Sequence, residues 1–356
     1  MKLSLNKENI ARIDKSNLLE ILLDFPQQLQ HALEIGAEAL LLFSRQGFNK
    51  IVFIGLGGSA IGADLVRSYL YFDAKVPISV IREYELPGYV DSSTLVFAVS
   101  YSGNTEETLN TYKEAKKKLA RIVVISSGGK LKEAAEKDKI SFIEIPCGLP
   151  PRCALGYLSV IPLCVLSKLG LICDARKQIQ QAIGVLQELR NNCLSLRVGP
   201  KDNLAKQAAA KLYGKFVAVY SSSIHFEACA TRLKGQLSEN SKALASAAGF
   251  PEMNHNEIEG WHNPRKVLKN SVAVILRDNQ INPCVQKRMD VTRDIFEEEG
   301  ISLIEIYSRG ESLLARIFSL IYTADFISYY LAILYGQDPT PTQRIDYLKE
   351  RLARSV

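Results

Sequence analysis

Short runs of apolar residues rich in valine, isoleucine and phenylalanine recur along the chain, separated by longer segments with the apolar spacing of amphipathic helices. Such short runs are typical of strands buried in a parallel sheet. Their alternation with helices favours an α/β fold in which each parallel sheet carries helices on both faces. The predicted strands cover residues 51–54, 78–82, 94–99, 121–126, 141–145, 216–220, 272–276 and 302–307.

The segments between these strands predict how the chain is divided. A helical pattern covers residues 17–46, an apolar stretch over 154–172 predicts a buried helix, and a helical connector over 175–198 stops at Gly199-Pro200. The two halves are similar in organisation, and each has about the length of one domain. The predicted parts are an N-terminal helical region (1–45), a first α/β domain (46–175), a second α/β domain (200–335) and a C-terminal helical tail (336–356).

The predicted strand 94–99 runs into a polar turn, Ser100-Tyr-Ser-Gly-Asn-Thr105, and a helical segment with acidic residues in its first turn follows. Unpaired N–H groups and the helix dipole favour an anion at such a helix start. Hydroxyl donors without a fixed positive charge suit the phosphate of a small polar molecule. The alternative is an ordinary loop with a helix cap, but a cap needs one hydroxyl and this turn has three.

A second, glycine-rich turn, Gly55-Leu-Gly-Gly-Ser59-Ala-Ile-Gly62, follows the predicted strand 51–54, and a helix is predicted to begin near Ala63. Glycine allows the backbone to approach a ligand closely, which makes this turn another candidate anion contact. Its spacing departs from the dinucleotide-binding fingerprint, but Glu83 stands about where that fingerprint has its acidic residue, so a nicotinamide cofactor stays an alternative. A nucleoside triphosphate P-loop is excluded, because no Gly-Lys-Ser/Thr follows.

Composition narrows the classes of partner. The chain has 356 residues and a formal net charge of +6, and its basic residues alternate with acidic ones, which disfavours nucleic-acid binding. No membrane span is predicted, and the first residues lack the apolar region of a signal peptide. The seven cysteines show no metal-ligand spacing, and their odd number and apolar neighbours are typical of reduced thiols in a cytoplasmic protein.

Further motifs occur along the rest of the chain: Gly148-Leu-Pro-Pro-Arg152, Leu237-Ser-Glu239-Asn240, Asn254-His255-Asn256-Glu257, and Pro339-Thr-Pro-Thr342 with Lys349. Together with the two turns, they resemble the bifunctional phosphoglucose/phosphomannose isomerases over nearly the whole chain. The resemblance implies two sugar-isomerase (SIS) domains, each with three α-β-α layers, in a homodimer. It also implies interconversion of glucose 6-phosphate and mannose 6-phosphate with fructose 6-phosphate through a cis-enediol, without cofactor or metal.

The resemblance gives each motif a role. Glu239 would carry the proton between C1 and C2, a task for one carboxylate whose pKa partial burial brings toward neutrality. Without the resemblance, the sequence favours a helix-surface acid at Glu239 over a catalytic one. Arg152 would stabilise the enediolate charge. The two turns would bind the substrate phosphate through Gly58, Ser59, Ser100, Ser102 and Thr105.

Ring opening and epimer specificity are assigned in the same way. His255 and Lys349 would open the sugar ring, and His255 would come from the partner subunit, since the family forms its site across a dimer. Thr342 would allow both C2 epimers to be used. Without the resemblance, Lys349 is an exposed lysine and Thr342 is the N-cap of a C-terminal helix. His225 is expected to cap a helix or line a cleft.

Two other functions remain open. SIS domains also act as sensors that bind a phosphosugar without converting it, but such proteins usually carry a DNA-reading module, and no helix-turn-helix with a basic face is visible. Isomerisation or deamination of an amino-sugar phosphate would use a similar phosphate site. The expected partners are therefore small sugar phosphates and a second copy of the chain, with neither nucleic acid nor membrane.

Overall fold

Two parallel β-sheets organise the chain in the computed structural model, which describes residues 3–43 and 47–354. The first sheet has the strand order β2-β1-β3-β4-β5, and the second has the order β7-β6-β8-β9. The strands are β1 Lys50–Ile54, β2 Ile78–Ile81, β3 Thr94–Val99, β4 Arg121–Ser126, β5 Ser141–Glu144, β6 Phe216–Ser222, β7 Ala245–Phe250, β8 Ser271–Arg277 and β9 Leu303–Tyr307.

Helices connect these strands and cover both sheets. They are α1 Lys7–Ile13, α2 Leu18–Leu23, α3 Phe25–Glu38, α4 Gly57–Tyr69, α5 Glu106–Lys117, α6 Gly129–Asp138, α7 Leu155–Lys168, α8 Arg176–Leu189, α9 Leu204–Leu212, α10 Glu227–Glu239, α11 Glu257–Gly260, α12 Arg265–Leu268, α13 Pro283–Glu298, α14 Leu313–Tyr335 and α15 Gln343–Ala353. Short 3₁₀ helices lie at Pro151–Cys153 and Glu252–His255, and a π-helical turn at Arg190–Leu194 extends α8.

Alternate residues of each strand enter different cores, because successive side chains point to opposite faces of a sheet. Phe53 and Phe97 stack with ring centroids 4.7 Å apart on the face that joins the large shared core. Val52 and Val96 enter a separate core beneath α5 and α6 on the other face. Both faces of the second sheet are covered in the same manner. The predicted α/β fold with helices on both faces is therefore confirmed.

Helix α14 lies at the centre of the shared core, where it packs against α8, α9 and α10. By length and composition alone it would cross a membrane, although the sequence pattern predicts no membrane span. Its most apolar 18-residue stretch is entirely buried inside the protein. A helix that other elements surround must be apolar on all sides. The apolarity of α14 is thus explained by packing.

Three elements differ from the predictions. The helical pattern predicted over 17–46 forms two helices, α2 and α3, that end at Glu38, and its residues 44–46 lie outside the described residues. Helix α4 begins at Gly57 instead of near Ala63, so Gly58 and Gly62 are helical residues. Because glycine has no side chain, α4 can approach the backbone of other elements closely at these positions. A Cβ on Gly62 would lie 2.6 Å from the Leu158 carbonyl oxygen of α7. Strand β7 was not predicted, because its sequence of small residues with a glycine lacks the bulky apolar pattern on which a strand prediction depends.

Candidate active site

The hydroxyl-rich turn lies between the end of β3 and the start of α5. The Ser100 and Thr105 hydroxyl groups are 2.9 Å apart, and the Tyr101 N–H donates to the Ser59 hydroxyl of α4 over 3.3 Å. Thr105 holds the N-cap position of α5, but its side chain makes no capping hydrogen bond. The starts of α4 and α5 and the hydroxyls of both turns therefore converge, which is the arrangement expected of an anion site.

Two further residues of this turn explain its sequence. Gly103 has φ +69°, and a Cβ there would lie 1.8 Å from the Gly128 carbonyl oxygen, so no other residue fits. Tyr101 donates its hydroxyl hydrogen to the Pro146 carbonyl over 3.1 Å and accepts from the Leu149 N–H over 2.7 Å. The tyrosine thereby connects the turn to the loop that leads to Arg152.

Gly58 of α4 packs closely against the backbone of the turn that carries Arg152. A Cβ on Gly58 would lie 2.8 Å from the Pro151 carbonyl oxygen and 3.0 Å from Cα of Arg152, so only glycine allows the observed approach of α4 to this 3₁₀ turn. The arginine is buried, with 5% of its surface exposed. The neighbouring Cys153 is buried as well, and burial raises the pKa of its thiol to about 11.

The Arg152 guanidinium joins three parts of the chain. Its Nε donates to the Asn240 side-chain oxygen over 2.7 Å, and its Nη2 donates to the carbonyl oxygens of Pro339 and Thr340, each over 2.9 Å. Its Nη1 lies 3.4 Å from a carboxylate oxygen of Glu239. A guanidinium carries five N–H groups, so these four contacts leave one N–H on Nη1 for a ligand.

Glu239 is the last residue of α10, and its side chain is 32% exposed. It faces a cavity of about 390 Å³ between α4 and α10. Gly57, Gly58 and Arg152 line the cavity near Glu239, and Asp64 and Arg82 form an ion pair in its wall. A partly exposed carboxylate beside a buried cation is suited to move a proton on a bound molecule while the cation stabilises negative charge.

A buried polar network fixes the backbone behind these two groups. Arg232 binds both carboxylate oxygens of Asp325, over 3.0 and 2.7 Å, and also donates to the Arg152 carbonyl over 3.0 Å. Asn240, which orients Arg152, donates in turn to the Ser328 hydroxyl over 2.9 Å. Helices α10 and α14 are therefore connected at the point where both support Arg152.

The remaining predicted residues lie outside this cavity. His255 ends the 3₁₀ helix 252–255 and is exposed, and Lys349 is exposed on α15. Thr342 precedes α15, and its hydroxyl lies 3.5 Å from each Asp346 carboxylate oxygen without capping the helix. The structure thus brings Arg152 and Glu239 together, but not His255, Lys349 or Thr342.

His225 is expected to cap a helix or to line a cleft. In the structure its Nδ1 lies 2.7 Å from the Ser68 carbonyl oxygen, near the C-terminal end of α4. Within residues 3–43 and 47–354, no group of three or more His, Cys, Asp or Glu side chains is arranged to hold a metal ion.

Two protein-family models match the chain. The SIS domain model matches residues 46–142, and the bacterial phospho-glucose isomerase C-terminal SIS domain model matches residues 201–352. A protein of Caldicellulosiruptor bescii named bifunctional phosphoglucose/phosphomannose isomerase is 47% identical over 337 residues, which are 94% of this chain and 99% of the relative. The chain belongs to this family.

Other relatives agree with this assignment. A bifunctional phosphoglucose/phosphomannose isomerase of Aquifex aeolicus is 37% identical over 86% of this chain and 91% of its own length. The solved structure of a hypothetical protein from Thermus thermophilus aligns with a TM-score of 0.77 over 99% of this chain and 93% of that one. Since only 16% of residues are identical there, this last likeness supports the fold alone.

For a member of the phosphoglucose/phosphomannose isomerase family, the site includes residues that the sequence did not single out. Arg232 and Asp325 lie far apart in the chain and carry no local signal. Asn240 directly follows Glu239 in a quoted motif, so its position was visible but not its contact with Arg152. Lys242 gave no signal either, although its ammonium group lies at the end of α10 beside these residues.

Proposed function

We propose that the protein is an aldose-ketose isomerase that interconverts glucose 6-phosphate and mannose 6-phosphate with fructose 6-phosphate. The observation that carries this proposal is the Glu239 carboxylate beside the buried Arg152, whose turn packs against Gly58, the residue before Ser59 of the candidate phosphate site. The names of the relatives with 36–47% identity support the same reaction. The small sugar phosphate is thus the substrate, and the chemistry needs only proton transfers.

The phosphate would be held by the hydroxyls of Ser59, Ser100, Ser102 and Thr105 and by backbone N–H groups near Gly58. Ser100 and Ser59 are almost fully buried, with 1% and 5% of their surface exposed, whereas Ser102 is exposed. The buried hydroxyls offer fixed donors, and Ser102 can close on the ligand from the solvent side. Anchoring the phosphate here leaves the carbonyl end of the sugar free to reach toward the cavity.

In the isomerisation step, Glu239 removes the C2 proton of the open-chain aldose and returns it to C1, while the O2 hydroxyl proton moves to O1, so that C2 becomes the ketone and C1 the hydroxymethyl group. The ketose reacts by the reverse transfers. Negative charge then develops on the oxygens of the cis-enediol. The N–H group left on Nη1 of Arg152 is available to that charge, and the other four contacts of the guanidinium prevent it from rotating away. Preorganised donors of this kind stabilise a transition state without reorganisation.

Ring opening is assigned to His255 and Lys349, and we propose that a homodimer brings His255 of one subunit to the site of the other. Both residues are exposed and outside the cavity within one chain, so a single copy leaves them without a reacting partner. Helix α15 supports an interface, because it exposes apolar side chains that share one face, Ile345, Leu348 and Leu352.

Three finer assignments complete the proposal. Thr342 is the specificity residue that allows both C2 epimers to react. The division into two SIS domains follows the boundaries 46–175 and 200–335, with 336–356 completing the site. A cytoplasmic location is supported by the cysteines, all seven of which lie in the described ranges and form no disulfide.

The experiment that tests this proposal supplies fructose 6-phosphate and follows the appearance of glucose 6-phosphate and mannose 6-phosphate separately. The wild-type protein is expected to form both. Glu239→Gln should lower turnover by several orders of magnitude and leave sugar-phosphate binding intact, because the amide cannot accept the proton. Glu298→Gln is the matched control, since Glu298 is likewise an acid that ends its helix (α13), and it is exposed.

Each other outcome identifies an alternative. Binding of fructose 6-phosphate without any product would indicate a phosphosugar sensor. Conversion of glucosamine 6-phosphate but not of the neutral hexose phosphates would indicate an amino-sugar enzyme. Near-normal turnover of Glu239→Gln would remove the assignment of the base.

A further inference from the structure

Lys242 lies just beyond the end of helix α10, in a wide backbone turn. The Ser241 and Ala243 N–H groups both donate to the Leu237 carbonyl oxygen, over 3.2 and 3.0 Å. Lys242 stands in this turn with φ +54°, in the left-handed region where glycine is the preferred residue. A side chain at this φ is strained, and Lys139 at the end of α6 has the same φ, so what distinguishes Lys242 is what its side chain contacts.

The ammonium group of Lys242 contacts two separate parts of the chain. Although Lys242 is an exposed residue, its Nζ lies 3.0 Å from the Glu239 carbonyl oxygen and 3.3 Å from that of Asn240, as in ordinary helix capping. Its shortest contact, 2.7 Å, is with the Asp338 carbonyl oxygen, and Pro339 follows at 3.3 Å. Capping alone does not require these last two contacts.

The segment that Lys242 holds is the one that Arg152 also holds. The Pro339 carbonyl oxygen receives hydrogen bonds from both cations, and Thr340 receives one from Arg152. This segment leaves the core helix α14 and leads into α15. Two cations therefore attach the C-terminal segment to the end of the helix that carries Glu239.

We propose that Lys242 is a positioning residue that fastens residues 338–340 to the catalytic end of α10 and so places Thr342 and α15 relative to Glu239. The part concerning Thr342 and α15 rests on the proposed isomerase function. The attachment itself rests on the contacts of Nζ alone.

The charge of Lys242 depends on pH near neutrality. Desolvation, and then the nearby charge of Arg152, lower the pKa of Lys242 to about 8, while the carboxylates of Asp338 and Glu239 act in the opposite direction. A neutral amine has fewer hydrogens to donate to the carbonyl oxygens that surround it. Deprotonation therefore changes the hydrogen bonds that Nζ can donate, and because the folded state favours the neutral amine, the contribution of Lys242 to the free energy of unfolding increases as the pH rises above about 8.

The test compares Lys242→Gly with Lys139→Gly in the full-length protein. Lys139 also ends its helix (α6) with φ +54°, so both glycines relieve the same backbone strain, but only the first removes the attachment. We expect kcat/KM for fructose 6-phosphate to fall at least tenfold in Lys242→Gly and to stay within twofold of wild type in Lys139→Gly. Any dependence of kcat/KM on pH near 8 that arises from titration of Lys242 should be absent only from Lys242→Gly.

Hydrogen exchange decides the attachment independently of activity. In Lys242→Gly, the amides of Gln337, Asp338, Thr340 and Thr342, the residues of this segment that carry an N–H, should exchange at least tenfold faster, while those of residues 321–333 in α14 keep their wild-type rate. Unchanged exchange at 337–342, or a parallel increase in both segments, would overturn the proposal. Absence of isomerase activity in the wild-type protein would instead refute the proposed function and leave this exchange result interpretable.

Discussion

Replacing Gly58 by alanine tests whether the close contact between α4 and the 3₁₀ turn places Arg152. The added Cβ would lie 2.8 Å from the Pro151 carbonyl oxygen, whereas an ordinary contact needs about 3.4 Å. The neighbouring atoms belong to backbone and cannot rotate away, so the turn must move by about 0.6 Å. Arg152, whose Cα would lie 3.0 Å from the same Cβ, must move with it.

Two effects on stability oppose each other in this variant. Overpacking of a well-packed contact costs about 1–3 kcal/mol. Replacing glycine by alanine in a helix contributes up to about 1 kcal/mol in the opposite direction. The net expectation is a loss of about 0–2 kcal/mol in the free energy of unfolding, measured by denaturant titration, which leaves the protein folded.

Activity should respond more strongly than stability. A displacement of about 1 Å of a catalytic group costs about 100-fold in rate, so a shift of about 0.6 Å corresponds to roughly tenfold. We expect kcat/KM for fructose 6-phosphate to fall by that factor in Gly58→Ala. The assay follows glucose 6-phosphate and mannose 6-phosphate, and both should decline together, because Arg152 acts before the two products diverge.

Gly184→Ala is the matched control. Gly184 lies in the middle of α8, is exposed, and would have no atom within 4 Å of an added Cβ. This variant should gain about 0.5–1 kcal/mol of stability with unchanged activity. If Gly58→Ala behaves in the same way, with kcat/KM within twofold of wild type, the close contact does not place Arg152 and the role given to Gly58 is refuted.

Three other predictions follow from named residues. Thr342→Ala should reduce activity on mannose 6-phosphate more than on glucose 6-phosphate; equal loss on both would remove its special role. Asp325→Asn should destabilise the protein by about 3–5 kcal/mol in denaturant unfolding, because Arg232 keeps a buried and unbalanced charge, whereas Glu144→Gln, which removes an exposed ion pair, should cost less than about 1 kcal/mol. Lys242 has a folded-state pKa of about 8, below that of a free lysine, so between that pH and about 10.5 the unfolded chain binds more protons there. Its contribution to the free energy of unfolding should therefore increase as the pH rises through this window, and thermal unfolding of wild type and Lys242→Gly at several pH values measures the difference.

Much of the fold was readable from the chain because its signals are local. Apolar runs such as 94–99 mark buried strands, and the sequence of motifs from Gly55 to Thr342 indicates the family. The strand β7 was missed because its small residues carry no such pattern, and the start of α4 was misplaced because its glycines suggest a loop. Those glycines serve contacts with residues about 100 positions further along the chain, which no local pattern reports.

The features of the candidate site also divide into those that local sequence signals predict and those that depend on long-range contacts. The hydroxyl turn and the prediction that it binds an anion follow from the sequence, because a strand end, its turn and the next helix start are consecutive in the chain. The position of Arg152 beside Glu239 was decided only by the tertiary structure. The same holds for the support of Arg152 by Asn240 and for the attachment of residues 338–340 by Lys242. These contacts join segments that lie up to 188 positions apart, and burial of α14 is what brings the segments together. Sequence thus determines which chemistry is available, and packing determines which groups meet.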